Sequence, residues 1–262
     1  MNSTSQNDSD QNVRTINLLL KISSLLMISG ANTYRTLYII DQFAEALGYS
    51  AQVFITHTKF IMTLTNMKTQ KFVTSVKKIP PIGVNFTTIS GLSKAGLHAH
   101  ELSWSIDKIE KEVDRIEKLK HYPRIIVLLA VSLAGAGFCN IFGGDHLNML
   151  VTFVATFFGL FTRQEMTKRN NYTYVVVFIS AFIASLVASV GIYFNIGASP
   201  QVSLATSVLF LIPGVPLINS FSDLIDGYII NGLVRLTNGL LIVFSIALGL
   251  ALAMYLFDIS KV

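Results

Sequence analysis

Apolar positions recur at two different periods along this chain, and the change of period divides it. Residues 1–12 are polar and lack large apolar groups, the pattern of a disordered tail. A helix is predicted over 13–29, ended by Gly30, because glycine accepts the left-handed conformation of a helix cap. A second is predicted over 33–47, with Leu37, Ile40, Ala44 and Leu47 at helical spacing, Asn32 or Thr33 as N-cap and Gly48 as stop. The period then shortens to two. Phe60, Met62 and Leu64 alternate with Ile61, Thr63 and Thr65, and the Val-, Ile-, Phe- and Thr-rich runs 49–57, 59–67 and 71–79 read as a meander of three strands. Pro80, Pro81 and Gly83 end it. Helical spacing returns over 85–100 and 105–121. Ser105 is placed to cap the second of these helices, Trp104 to pack on Ile109, and Leu102, Ile106, Ile109, Val113 and Ile116 form its apolar stripe. Helices around a meander predict an α+β head domain over 13–121.

From 122 to 262 the apolar runs lengthen. A helix needs about 20 apolar residues to cross a bilayer core of about 30 Å. Five candidate spans satisfy or approach this: 125–141, 147–161, 174–194, 202–221 and 228–257. The last would reach about 45 Å as one helix, so it is expected to begin outside the membrane or to break near Asn238 and Gly239. Lys118, Lys120 and Arg124, then Arg163, Lys168 and Arg169, then Arg235 mark alternate span ends, whereas the loops 142–146 and 195–200 carry no Lys or Arg. The excess of basic residues on cytosolic loops places the head and N-terminus in the cytosol and the C-terminus on the far side, Lys261 dissenting. Ala134, Gly135, Ala136 and Gly137 in the first span, and Ala181, Ala184, Ala188 and Gly191 in the third, would let helices pack closely. The expected fold is an α-helical membrane protein with five transmembrane helices and an N-terminal cytosolic α+β domain.

Composition agrees with this division. Residues 1–120 hold 14 Lys or Arg and 10 Asp or Glu, whereas the remainder holds 6 and 5. Across the chain 13% of residues are charged, about half of what soluble domains carry. The net charge of +5 is interleaved with acids, without the basic stripe of a nucleic-acid binder. The single cysteine, Cys139, lies in an apolar run and reads as a small buried residue. The apolar stretch 16–28 is interrupted by Lys21 and lacks a small-residue cleavage site, so it reads as an amphipathic helix of the mature chain. There is no Gly-rich loop ending in Gly-Lys-Ser/Thr, so direct use of ATP is not expected. Nor is there an H-E-x-x-H or G-x-S-x-G motif. His57, His98 and His100 with Glu101 are the only cluster favouring the alternatives, a membrane-anchored enzyme or a sensor or scaffold with a cytosolic head. No catalytic residue, metal site or cofactor is assigned.

The densest chemistry lies in residues 210–238. Pro213 and Pro216 each lack an N–H, and Gly214 loosens the chain between them, so the fourth span must kink or unwind. Backbone freed at membrane depth lines binding sites in many transporters. Asn219, Asp223, Asp226, Asn231 and Arg235 follow, with the two aspartates three apart on one expected helix face. Ionisable groups near a membrane interior are costly and usually functional. Asp223 and Asp226 are candidates for proton or ion coupling. Arg235 could pair with them or hold a substrate carboxylate, and Asn219 and Asn231 could contact substrate with Pro213, Gly214 and Pro216. Thr33 and Arg35, at a helix N-terminus in the head, are candidates for a cytosolic gate.

The Pro213-Gly-Val-Pro216, Asn219, Asp223, Gly227, Gly232 and Arg235 pattern, together with Gly30-Ala-Asn-Thr-Tyr-Arg35, resembles the threonine/serine exporter (ThrE) family over nearly the whole chain. Full-length members of that family join such a half to a second, membrane-embedded half. With five spans, this chain resembles the split form, in which a YjjP-like large subunit pairs with a separate small YjjB-like subunit. The resemblance implies a multi-pass protein of the bacterial inner membrane. Its expected role is gradient-driven export of threonine and serine or of dicarboxylates such as succinate.

Overall fold

The computed structural model describes residues 2–56, 59–79, 83–119 and 122–258. It is mainly helical and divides into two units, one of residues 1–120 with 215–236 and one of 121–214 with 237–262. His57, Pro80, Pro81, Lys120, His121 and Lys261 lie outside the described residues.

The first unit is built on α1 (Asn2–Ile28), which starts well upstream of the expected 13–29 helix. The polar segment read as a tail is therefore helical from Asn2. One reason is local: the buried Asn12 side chain accepts a hydrogen bond from the Tyr49 hydroxyl at 2.8 Å, drawing this turn onto the sheet. α1 is also less amphipathic than expected. Leu18, Leu19, Leu20, Ile22, Leu26 and Met27 are all buried and point around the helix, because other elements of the unit cover several of its sides. Only the Lys21 side of this stretch reaches water, where its ammonium pairs with Asp114 at 2.7 Å and Glu117 at 2.6 Å on α4 (Ile106–Glu117).

α2 (Thr33–Ala46) and the strands β1 (Tyr49–Ile55), β2 (Lys59–Asn66) and β3 (Phe72–Lys78) follow the expected order. The strands form an antiparallel sheet in the order β1-β2-β3. Its register puts Ala51 opposite Leu64 and Leu64 opposite Val73. The period-two pattern is realised in full: Phe60, Met62 and Leu64 are completely buried, and the alternate residues face outward. α3 (Phe86–Glu101) is capped by Asn85, whose side chain accepts from the Thr88 N–H at 3.2 Å. Ser105 does occupy the N-cap position of α4, but its side chain makes no cap hydrogen bond. Trp104 packs at the edge of the core, with the Lys108 ammonium 4.1 Å from its ring centre.

The second unit contains α5 (Arg124–Ile141), α6 (His146–Lys168), α7 (Thr173–Tyr193), α8 (Pro200–Ser207) and a 3-10 turn at Leu209–Leu211. By length and composition α5 and α7 can cross a membrane, as can α10 (Ile229–Leu256). A fourth crossing is made if α8 with its 3-10 turn and α9 (Gly214–Ile225) count as one bent span. α6 falls outside this set: Arg163, Glu165 and Lys168 occupy its last turns, and Asn148, Thr152 and Thr156 line its buried face. The helices of this unit meet through small residues. A Cβ on Gly159 would lie 2.7 Å from the Ala184 Cβ, and one on Gly249 would lie 2.6 Å from the Phe178 carbonyl.

The helix break falls where Pro213 demands it, at Ile212 and Pro213, but Pro216 behaves differently from expectation. It lies in the first turn of α9, where a missing N–H costs nothing. The break expected near Asn238 and Gly239 is absent, and α10 runs unbroken through both.

A buried carboxylate centre at Asp223

The centre begins with the turn between α1 and α2. Gly30 has φ +89°, its N–H donates to the Met27 carbonyl at 3.1 Å, and the Ala31 N–H donates to Leu26 at 3.0 Å. This is the two-bond helix stop that needs a residue in the left-handed region. It turns the next four carbonyls outward, and each finds a donor. Ile28 O accepts from the Gly83 N–H at 2.7 Å and Ser29 O from the Asn85 N–H at 2.9 Å. Gly30 O accepts from Asn219 Nδ2 at 2.7 Å, and Ala31 O accepts from an Arg235 terminal nitrogen at 3.2 Å.

A second stop of the same kind closes α9. The Tyr228 N–H donates to Asp223 O at 2.7 Å and the Gly227 N–H to Leu224 O at 3.2 Å, with Gly227 at φ +85°. The chain then reverses into α10. Gly232 makes the reversal tight, since a Cβ there would lie 2.7 Å from the Leu224 side chain and 2.9 Å from Ser220 O. This close approach sets Asp223 and Arg235 against each other, with Arg235 Nε 3.0 Å from Asp223 Oδ2.

Asp223 is entirely buried and Arg235 is 8% exposed. The carboxylate also accepts from the Thr33 N–H at 2.8 Å and the Thr33 hydroxyl at 3.0 Å. The Thr33 N–H is one of the unpaired donors that open α2, so a negative charge meets the positive end of the helix there. Asn32 caps the same helix from its own chain neighbour, accepting from the Arg35 N–H at 2.9 Å. Asn231 Nδ2 donates to Thr33 Oγ1 at 3.3 Å, and the Met27 sulfur lies 3.4 Å from Arg235. A buried ion pair holds only when its remaining hydrogen-bonding capacity is met, as it is here.

Of the residues singled out in the sequence, this centre gathers Thr33, Asn219, Asp223, Asn231 and Arg235. Pro213 and Gly214 belong to the other unit, at the helix break, and Pro216 opens α9. Arg35 is exposed. Asp226, whose N–H still bonds Ser222 O at 2.9 Å, lies just past Ile225 at the end of α9 and is exposed, whereas Asp223 is buried. On α2, burial raises the Asp41 carboxyl above its ordinary pKa, with Glu45 adding to it. The residue identities alone did not show the backbone partners, Gly30 O and Ala31 O, or the Met27 sulfur. The Gly30-Ala-Asn-Thr run was their only trace.

Among the described residues, His98 and His100 do not converge on a site. His98 lies beside the Trp104 ring, whereas His100 Nδ1 is 3.4 Å from Glu45. Among the described residues no group of three His, Cys, Asp or Glu side chains could hold a metal.

The family model described as "Putative threonine/serine exporter" matches residues 17–257. A protein of Klebsiella aerogenes named "Probable succinate transporter subunit YjjP" is 27% identical, over 95% of this chain and 96% of its own length. Its namesake from Escherichia coli K12 is 26% identical, over 90% and 92%. A "Threonine/serine exporter" of Corynebacterium glutamicum is 24% identical over 97% of this chain but 54% of its own length. No solved structure matches. With apolar helices fit to cross a bilayer and a family match over most of its length, this chain is a membrane transport protein and belongs to the threonine/serine exporter (ThrE) family.

Proposed function

We propose that this chain is the larger subunit of a gradient-driven exporter of small carboxylates, either succinate-like dicarboxylates or threonine and serine, and that the Asp223 centre couples the gradient to transport. The substrate classes are those in the names of its relatives, and the word subunit in two of those names supports a partner, here taken to be a separate, smaller membrane subunit. In this reading the protein sits in the bacterial inner membrane with five crossings, α6 among them. Its head and N-terminus face the cytosol and its C-terminus the far side, as the basic residues at the span ends favour.

One observation supports the coupling role. Asp223 is fully buried, and its carboxylate is at once the partner of Arg235 and the acceptor for Thr33. A proton arriving there would remove the ionic attraction to Arg235 and free donors that are occupied in this conformation. Arg235 would then be released from its partner, and Thr33 and Arg35 would move with the α2 N-terminus as a gate, with Asn219 and Asn231 holding the turn and the helix start around it. Exposed Asp226, close in sequence, is the point of proton entry.

The test is efflux of labelled succinate, threonine and serine from proteoliposomes holding the chain co-purified with its small subunit. Flux of one of these that needs this chain and grows with an imposed proton gradient is expected. Absence of flux for all three, or flux indifferent to the gradient, contradicts the reading.

A further inference from the structure

A second arginine lies near the C-terminal end of α6, and the coupling centre does not use it. Arg163 is half-buried on α6, in the second unit, and among the described residues no carboxylate pairs with it. Its guanidinium donates to Phe210 O, at a long 3.4 Å. That carbonyl is available because of the helix break. In a continuous helix it would accept from the Gly214 N–H, which here bonds Ile212 O at 2.9 Å. Five N–H groups on a guanidinium with one weak acceptor leave most of its donor capacity open. Half-buried at the charged end of α6, the guanidinium keeps donors that water or a small anion can take.

The interior beside Arg163 is polar in an ordered way. Asn148, Thr152, Thr156 and Arg163 fall on one face of α6. The three uncharged members are buried and meet α8: Ser203 Oγ lies 3.1 Å from Asn148 O, Thr206 Oγ1 lies 3.3 Å from Thr152 Oγ1, and Ser207 O lies 3.5 Å from Thr156 Oγ1. The third helix of this interior adds an unsatisfied group. Ser185 of α7 is fully buried and its hydroxyl has no hydrogen-bond partner. Its helix neighbours Ala181, Ala184 and Ala188 pack in the clusters that hold Val208 and Leu204 of this unit. A buried hydroxyl without a partner is rare in a finished core and calls for an explanation, of which a polar guest is one.

We infer that Arg163 is the carboxylate anchor of the transported solute, and that the hydroxyl lane along α6 and α8, with Ser185, carries the solute's remaining polar groups. The inference rests on the export reading, for which it names the binding site. The bidentate guanidinium matches a carboxylate, a group that succinate, threonine and serine share. The short hydroxyls, which here bond to backbone carbonyls and to one another, would exchange those bonds for the solute's polar groups.

Phenylglyoxal, which reacts with arginine, tests this on the full chain in membrane vesicles, with modification of each arginine read by mass spectrometry. Succinate or serine is expected to slow modification of Arg163 at least about fivefold while the uncharged succinamide does not, and exposed Arg169 and Arg124 should react at unchanged rates. Equal rates at Arg163 with and without solute, or an Arg163 that never reacts, would overturn the inference. Efflux by Arg163→Lys supplies a second readout. Lysine keeps the charge but loses the two-pronged geometry, so the succinate concentration for half-maximal flux should rise about tenfold, and an unchanged value also counts against the anchor. If the wild-type protein carries no flux yet Arg163 is protected, the export reading fails and the carboxylate site stands.

Discussion

Arg235 lies near the start of α10 and Arg163 near the end of α6, and their surroundings differ in one respect. Arg235 has a buried carboxylate at 3.0 Å, a backbone carbonyl and a methionine sulfur. Arg163 has one distant carbonyl. A buried cation whose partners are all supplied by its own chain is part of the architecture, and disturbing it disturbs the fold. A cation that lacks a built-in anion is available to one from outside. The difference separates a residue that positions and couples helices from one that receives a solute.

The largest expected effect breaks the first half of this comparison. Asp223→Ala leaves Arg235 buried without its anion and should cost about 3–5 kcal/mol of stability, measured by unfolding in detergent. The double variant Asp223→Leu with Arg235→Met removes both charges and should recover most of that loss while efflux remains abolished. Recovery of stability without recovery of flux would separate the structural cost from the transport role.

Smaller effects follow from the turn that receives Arg235 and Asn219. Gly30→Ala forces a side chain into φ +89° with its Cβ 3.2 Å from Gly83 O, at a cost of about 1–2 kcal/mol. Asn219→Ala deprives Gly30 O of its donor, worth about 1 kcal/mol in the same measurement. Arg163→Gln should change stability by no more than about 0.5 kcal/mol, because its present bond is weak. Equal destabilisation by Arg163→Gln and Asp223→Ala would erase the distinction between the two arginines.

The smallest effect is on pH dependence. The Lys21 ammonium holds the Asp114 carboxyl below its ordinary pKa. A depressed carboxylate stabilises the fold above the ordinary carboxylate range, and that contribution is lost as pH falls through the folded-state value. Asp114→Asn should therefore flatten the acid side of the stability curve slightly, and salt should do the same because the pair is exposed.

Much of this architecture was legible in the pattern of residues. The alternation at Phe60, Met62 and Leu64 located the buried face of the sheet, and Pro213 located the helix break, because both act through local backbone geometry. Long-range pairing was not legible. Thr33 and Asp223 lie 190 positions apart, and spacing within a segment carries no information about such a partner. The spacing of Asp223 and Asp226 did not show their different burial: Asp226 sits in the last turn before Gly227 and is exposed, whereas Asp223 is covered by a segment 190 positions away. α1 looked amphipathic because Lys21 reaches out to α4, although the rest of this stretch is covered. Arg163 was read only as a basic residue marking a span end, since its lack of an anion shows only once α6, α8 and the break are assembled.

The coupling claim is tested most directly by the initial rate of labelled solute efflux with Asp223→Asn, set against the wild-type chain across a series of imposed proton gradients. The substitution keeps the size of the side chain and an acceptor for Thr33 while removing the titratable group. Flux that no longer rises with the gradient, in protein that still melts cooperatively, is the expected result. The same gradient dependence as the wild type would contradict the account.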